Sequence, residues 1–464
     1  MMPMKYLTAI LFAFTPLLSA AEPWNLASRW ELFVDDHLVA QRQGADLKLH
    51  EPIKREIVLT TDQPWEGKTC AYFSVIQDGE KVLMYYRGSS GGSDHSDAQV
   101  TCVVESQDGI HFTRPKLGLI EAGGTKDNNV IWRGVEAHNF SPFLDTNPGC
   151  KPDERYKALG GVKQPGKNWH QGETPGGLYA FASADGIHWK KMKDTPVITK
   201  GAFDSQNLAF YDTTRNRYTC FSRIFINKVR AVQSNHSTDF LTWTEPVPHE
   251  YAKGVPWEHF YTSATVPCPT APHLFLSFPK RFMTSRKKVP EHEGPGVSDA
   301  VFMSSRDGVH WDRPFLEAWV RPGPDLKNWT DRNNMTANGI IVGEKEWSLY
   351  ISEHYRHDDH RIRRLTVRKQ GFASMHAGAK GGEFTTHPLT FTGGKLVINY
   401  ATSAAGSIQI EALDADGNTL ATMPELYGDD FEAPVLDVAK LAGQTIRLRV
   451  KMKDADLYAF RFTN

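Results

Sequence analysis

The stretch Ser183-Ala184-Asp185-Gly186-Ile187-His188-Trp189 decides the fold, because it recurs. The same pattern stands at Ser106-Gln107-Asp108-Gly109-Ile110-His111-Phe112, at Ser237-Thr238-Asp239-Phe240-Leu241-Thr242-Trp243 and at Ser305-Arg306-Asp307-Gly308-Val309-His310-Trp311. Ser and Asp side chains close a tight turn on nearby backbone N–H groups, Gly supplies a positive φ, and the aromatic packs into the next layer. The four starts are 77, 54 and 68 residues apart, the spacing of one four-stranded unit with variable loops. Five short β-rich runs lie among them: Lys81 to Tyr86, Gly177 to Ala182, Arg217 to Ser222, His273 to Phe278 and Glu346 to Ile351. Each is alternating or uniformly apolar and bounded by turns, and no long stretch has helical periodicity. The pattern predicts an all-β chain with a five-bladed β-propeller.

Each run is preceded by a polar-then-apolar segment. These begin at Trp65-Glu66, Glu136-Ala137-His138-Asn139, Phe203-Asp204-Ser205-Gln206-Asn207, Trp257-Glu258-His259 and Asp331-Arg332-Asn333-Asn334. Positions 66, 136, 204, 258 and 332 are 70, 68, 54 and 74 apart, a second phase of the same repeat. In a propeller the innermost strand of each blade lines a central channel, and its start faces the funnel mouth where ligands bind. Four of the five starts carry a carboxylate: Glu66, Glu136, Asp204 and Glu258.

After about residue 375 the texture changes. Gly378 to Gly382 reads as a linker, and beyond it come short strands and the hairpin-type turn Asp414-Ala415-Asp416-Gly417. The expected organisation is a segment 1–21 removed on export, a propeller over 22–377 and a small antiparallel β-sandwich over 378–464. The export expectation rests on Lys5, the mostly apolar Tyr6 to Leu18, and Ser19-Ala20-Ala21, whose small residues suit cleavage. The apolar stretch is shorter than the roughly 20 residues of a spanning helix, so no membrane insertion is expected once it is removed. The expected location is periplasmic or extracellular.

Across 464 residues, 53 Lys and Arg stand against 54 Asp and Glu, a net charge of −1. This argues against a nucleic-acid partner, which a basic excess would signal. The ordinary apolar content excludes a largely disordered chain. Cys70, Cys102, Cys150, Cys220 and Cys268 are widely spaced, odd in number and form no CxxC. At least one thiol is therefore free or paired elsewhere, and buried unpaired cysteine is the simplest reading. No cofactor motif is present: the Gly88 to Gly92 loop lacks the Lys-Ser/Thr ending of a phosphate loop. His354, His357, Asp358, Asp359 and His360 are dense in possible ligands and read as a solvated loop or a metal site, with no metal expected.

The blade repeat, the Ser-x-Asp-Gly-x-x-Trp turns and the C-terminal sandwich together resemble the five-bladed propeller glycoside hydrolases of families 32 and 43. Leu32 to Asp36, Phe203 to Asn207 and Gly393 to Asn399 also look like an exported, poorly characterised bacterial branch of that group. The resemblance covers nearly the whole mature chain. It implies an exported glycosidase, a carbohydrate substrate, and three carboxylates on inner strands of different blades. The Trp-Met-Asn-Asp-Pro-Asn, Arg-Asp-Pro and Glu-Cys motifs of family 32 are absent, so the invertase-type triad is not carried over. Sialidases share the aspartate turns but need three arginines, and Arg332 is the one Arg at an aligned inner-strand start.

Glycoside hydrolysis usually needs two carboxyl groups flanking the scissile bond, one protonating the leaving oxygen and one acting as nucleophile or activating water. The catalytic candidates are Glu66, Glu136, Asp204 and Glu258. Analogy with family 43 implies Glu66 or Glu136 as base or nucleophile, Asp204 as tuning or orienting group and Glu258 as acid. Asp35-Asp36 is the rival for the early-blade role, the alternative being a turn after a strand, Glu31 to Val34, that closes the ring. Asp97 and Asp299 are further alternatives. Substrate hydroxyls would meet His138, Asn139, Gln206, Asn207, His259, Arg332 and Asn333, and sugar faces would stack on Trp65, Trp257, Tyr261 or Trp169. An arginine there suits a carboxylated or sulfated sugar. The reading is a glycosidase, with a non-catalytic glycan-binding propeller as the alternative.

Overall fold

The computed structural model describes residues 22–90, 99–162 and 176–464, so the segment 1–21 expected to be removed on export, Asp97 and Trp169 lie outside the described residues. Among the described residues the regular elements are strands and four short 3-10 turns. Five sheets form the blades. Blade 1 runs Ala71–Asp78, Lys81–Ser89, Gln99–Ser106 and Val130–Arg133, each strand antiparallel to the last. Blade 2 uses Ser141–Leu144, Tyr156–Val162, Gly177–Ser183 and Lys190–Lys191. Blade 3 uses Leu208–Asp212, Arg217–Ile226, Val229–Ser237 and Val247–Pro248.

Blade 4 is interrupted. Thr265–Cys268 pairs with Ala271–Ser277, which pairs with Met303–Ser305, while Lys280–Met283 and Val297–Ala300 extend the middle hairpin. Blade 5 takes Ile341–Val342, Glu346–Glu353 and Arg361–Arg368 from late in the chain and Ile53–Thr60 from early in it. Ile53–Thr60 thus closes the ring. The stretch Glu31 to Val34 does not: Glu31–Leu32 pairs with the strand Arg447–Thr463 of the sandwich. Innermost strands of neighbouring blades lie side by side around the axis.

The repeated turns have the predicted chemistry. In the second, Ser183 Oγ accepts from the Gly186 N–H at 2.9 Å, and Asp185 Oδ1 accepts from Ile187 and His188 N–H at 2.8 Å each. Gly109, Gly186 and Gly308 sit at φ of 69°, 78° and 82°, and Phe240 takes the equivalent place at 65°. Each turn joins the third strand of a blade to the next segment of the chain. Blade 5 receives its fourth strand from the other end of the chain and needs no such turn, which is why five blades carry four motifs. Tyr85 and Tyr350 reach across to the next blade, their hydroxyls donating to the carbonyls of Gly186 and Gly109 at 3.0 and 2.6 Å.

The sandwich draws on both ends of the chain. Val39–Gln43 pairs with Gly382–Thr386, Ala45–Leu49 with Ala373–Ala377, and the long strands Lys395–Leu413 and Arg447–Thr463 pair with each other. Its interior holds Phe33, Phe384, Phe391, Leu396, Ile410 and Phe462. It rests on blades 4 and 5 through one continuous apolar cluster containing Trp30, Phe278, Trp319, Trp347, Phe372 and Val397. All five cysteines are thiols, with Cys150 partly exposed and the other four buried. No helix among the described residues is long and apolar enough to cross a membrane.

Candidate functional site

The starts of the innermost strands, and the ends of the strands beside them, converge at one end of the axis. From blade 1 come Tyr72 and Arg87, from the turn before blade 2 His138, from blade 3 Asp204, Arg223 and Arg230, from blade 4 Tyr261 and Lys280, and from blade 5 Arg332 and Tyr355. Tyr72, Tyr261 and Tyr355, with Met335 among them, form a buried lining. His138 ties three of these elements together: its Nε2 lies 3.0 Å from Asp204 Oδ1, its Nδ1 2.9 Å from Gln99 Oε1, and its ring edge meets Tyr72 at 5.7 Å. Arg87 lies over Tyr72, 5.0 Å from the ring centroid, and donates to the Thr69 carbonyl at 2.7 Å. Tyr72 and Arg332 hold φ of 59° and 63°, backbone that bulky side chains rarely adopt and that clusters at functional sites.

Below this mouth the channel is plugged. The buried Gln206 side chain of blade 3 donates to the Phe73 carbonyl at 2.8 Å and to Ser74 Oγ at 3.1 Å, both of blade 1. At the far end the same inner strands line an apolar depression of about 520 Å³ with Val75, Pro142, Phe143, Phe210, Val266 and Ile340.

Of the four carboxylates in phase, the mouth receives Asp204, whose side chain is 22 % exposed. Glu66 is fully buried inside blade 1. Arg114 donates to both of its oxygens at 2.8 and 2.9 Å, Tyr86 donates to Oε1, and the Gln63 N–H donates to Oε2 at 3.1 Å. Glu136 is buried against Lys191 at 2.5 Å, with the Trp132 indole donating at 3.3 Å. Glu258 lies on the blade 4 rim between Arg281, at 3.2 Å, and Arg313, at 2.5 Å. These three carboxylates hold cations of the fold in place. The rivals do likewise: Asp35 accepts from Ser304 and Arg306, pinning the N-terminal segment to blade 4, and Asp299 forms a two-point pair with Arg281.

The expected hydroxyl-binding residues divide in the same way. His138, Arg332 and His259 stand at the mouth, His259 accepting from the Arg230 backbone at 3.3 Å. Asn139 staples blade 2 to blade 3, accepting from the Gly161 N–H and donating to the Phe203 carbonyl at 2.9 and 2.5 Å. Asn207 donates to Phe203 and Ser205 carbonyls, and Asn333 accepts from the Tyr355 N–H at 2.7 Å; both are fully buried. Trp65 is a core residue donating to Asn129, and Trp257 is half exposed against Tyr251 on the outer surface. Of the expected aromatics among the described residues, Tyr261 reaches the site. His354 lies between Asp359 and Asp325 at 2.9 and 2.8 Å, and no group of three metal-ligating side chains occurs among the described residues.

A second carboxylate, Asp331, opens the blade 5 segment and is absent from the sequence candidates. It is buried, with His292 Nε2 2.6 Å from Oδ1 and Arg356 and Arg332 at 3.5 and 3.6 Å. Asp204 and Asp331 flank Lys280 in charge: both favour its protonated form, while burial, Arg230 and Arg223 oppose it and push it down to about 7. Burial also lifts the Tyr72 and Tyr261 hydroxyls above their ordinary range, and Asp204 adds to both shifts.

No protein-family model matches the sequence, and no curated protein matches it. Solved structures similar in fold include an N-acetylgalactosamine deacetylase from F. plautii in complex with blood group B trisaccharide, 14 % identical over 70 % of this chain and 96 % of that one, with a TM-score of 0.48. A family 43 arabinoxylan arabinofuranohydrolase from Bacillus subtilis is 12 % identical over 86 % of this chain and 96 % of that one, with a TM-score of 0.41. A family 32 β-fructofuranosidase from Bombyx mori is 11 % identical over 90 % of this chain and 94 % of that one, with a TM-score of 0.43.

Proposed function

We propose that the protein is an exported glycoside hydrolase that cleaves a poly- or oligosaccharide at the propeller mouth. The observation that carries this reading is Asp204: a partly exposed carboxylate, fixed by His138 at 3.0 Å, at the mouth where side chains of the blades converge. In this reading Asp204 is the nucleophile or the base that activates water. Asp331, paired with His292 at 2.6 Å, supplies the second carboxyl group that glycoside hydrolysis requires. Tyr72 and Tyr261 line the mouth from blades 1 and 4, and Gln206 closes the floor, which suits a chain end entering from one side.

The test is release of sugar from a panel of polysaccharides and aryl glycosides by the mature protein and by Asp204→Asn and Asp331→Asn. The reading requires both substitutions to lower release by about 10²-fold or more with the fold intact, the range of a positioned acid or base. Undiminished release by Asp204→Asn overturns it. A non-catalytic glycan-binding propeller is the second reading, favoured by the ion pairs that occupy Glu66, Glu136 and Glu258. It requires glycan binding without release, retained in both variants.

A further inference from the structure

Four cations from three blades crowd one aromatic ring. Around Tyr261, the Lys280 nitrogen lies 4.0 Å from the ring centroid, and the guanidinium carbons of Arg223, Arg230 and Arg332 lie at 5.1, 5.6 and 5.6 Å. Arg230 and Lys280 also share Phe282, at 5.4 and 5.6 Å. The chain as a whole is near neutral, at −1, so this concentration is local. Like charges gathered in a buried place repel, and a buried cation is costly unless paired.

Among the described residues two carboxylates stand beside the four cations: Asp331, also engaged by His292, lies 3.6 Å from Arg332, and Asp204 lies 3.7 Å from Arg223. Lys280 is fully buried, and its ammonium has no hydrogen-bond partner among the described residues. The Arg230 Nε–H is buried and likewise without one. Arg230 uses one terminal nitrogen on His259, at 3.3 Å. A neutral sugar would bring acceptors to these donors but no charge. A carboxylate or sulfate brings both, in a planar or tetrahedral array of oxygens that guanidinium and ammonium groups match.

We infer that the glycan taken at this mouth carries an anionic group, a uronate carboxylate or a sulfate ester, seated on Lys280, Arg223 and Arg230 beside Tyr261. The inference rests on the reading of the mouth as a glycan site and adds the chemical class of the glycan. Arg223, 3.7 Å from Asp204, would then be shared between the carboxylate and the anion. Lys280 is a binding group here, and no bond is made or broken on it.

The test is calorimetric binding by the mature protein at low salt, with three disaccharide probes: one ending in glucuronate, one neutral in its ring substituents but bearing a sulfate ester, and cellobiose. One anionic probe should bind at least tenfold more tightly than cellobiose, and which of the two does so separates carboxylate from sulfate. Lys280→Met, which fills the same buried volume, and Arg230→Gln, nearer the rim, should each weaken that binding at least tenfold and weaken cellobiose by clearly less. Equal affinity for cellobiose, no binding of either anionic probe by the folded protein, or wild-type affinity in both variants overturns the inference. Because the readout is binding, the two proposals part cleanly. Anion binding without any sugar release sinks the hydrolase and keeps the cage. Cleavage of neutral glycans that is indifferent to Lys280→Met does the reverse.

Discussion

Glu66 and Asp204 occupy the same phase of the blade repeat and have opposite fates. The Glu66 niche is closed: every oxygen is taken by Arg114, Tyr86 or the Gln63 backbone, and nothing of the side chain reaches solvent. The Asp204 niche is open on one side, with His138 behind it and the cation cluster beside it. The difference lies in the short loop between each acid and its inner strand. After Glu66 the chain spends Gly67 to Cys70 returning to the blade, and it is Tyr72 that reaches the axis. In blade 3 the inner strand starts four residues after Asp204, at Leu208, and the carboxylate itself arrives there. Repeat phase places a residue along a blade. Whether it faces the axis or the interior is set by one or two residues of loop.

The sharpest way to break the comparison is to neutralise both acids. Asp204→Asn keeps shape and its acceptor for His138, so thermal unfolding should move little, while sugar release should fall by about 10²- to 10⁴-fold. Glu66→Gln should do the opposite. It removes the buried counter-charge of Arg114 and leaves that guanidinium only its exposed ion pair with Asp62 at 3.4 Å, so the loss should lie towards the low end of the about 3–5 kcal/mol that breaking a buried pair costs. Urea unfolding should show that loss, and release per folded molecule should be close to that of the wild type. If Glu66→Gln destroys activity without loss of stability, the two niches have been assigned the wrong way round.

The fold was legible because its signals are local. Ser-x-Asp-Gly-x-x-Trp carries its own hydrogen bonds, and each β run is apolar for its own burial. The ring closure by Ile53–Thr60 was not legible: that strand is mostly exposed and polar, Ile53-Lys54-Arg55-Glu56-Ile57, and its partner lies some 300 residues away. The site was half legible. The runs Lys81 to Tyr86, Arg217 to Ser222 and His273 to Phe278 end on their last apolar or small residue, and the cation just beyond each, Arg87, Arg223 and Lys280, is what reaches the mouth. A cation one or two residues beyond the apolar run of three blades is a repeat signal of the same kind as the turns. It escapes a search for carboxylates because its sign is opposite.

Lys280 sharpens the contrast through pH. Burial and the neighbouring Arg230 and Arg223 depress its ammonium to about 7 in the folded protein, against the support of Asp331 and Asp204 and the rings of Tyr261 and Phe282. In the unfolded chain a lysine titrates near 10.4. Between those values the unfolded state holds one more proton, so this residue makes the fold more stable as pH rises from about 7 towards 10, at most by about 1.4 kcal/mol per pH unit. Below about 7 both states are protonated and the contribution is flat. Denaturant unfolding at pH 7, 8 and 9 should show a steeper rise in the wild type than in Lys280→Met. Parallel curves would mean that a counter-ion already neutralises the ammonium.

The smallest effect is expected at Glu258, the third acid in the series. It is neither sealed like Glu66 nor placed at the mouth like Asp204. Its partners have other contacts: Arg281 keeps both oxygens of Asp299 and the Leu316 carbonyl, and Arg313 keeps the Pro256 carbonyl and lies over Phe260 at 4.9 Å. Glu258→Gln retains an acceptor for the buried Arg313 and removes a charge that Asp299 replaces for Arg281 alone. The loss should be about 1.5–3 kcal/mol, the worth of a hydrogen bond to a charged group and below that of Glu66→Gln. Sugar release should be unchanged, because the side chain serves the rim of blade 4. A stability loss as large as that of Glu66→Gln would show that a carboxylate's burial, rather than the number of its partners' other bonds, governs its value in this repeat. A selective loss of release would instead return Glu258 to the acid role its position in the sequence suggested.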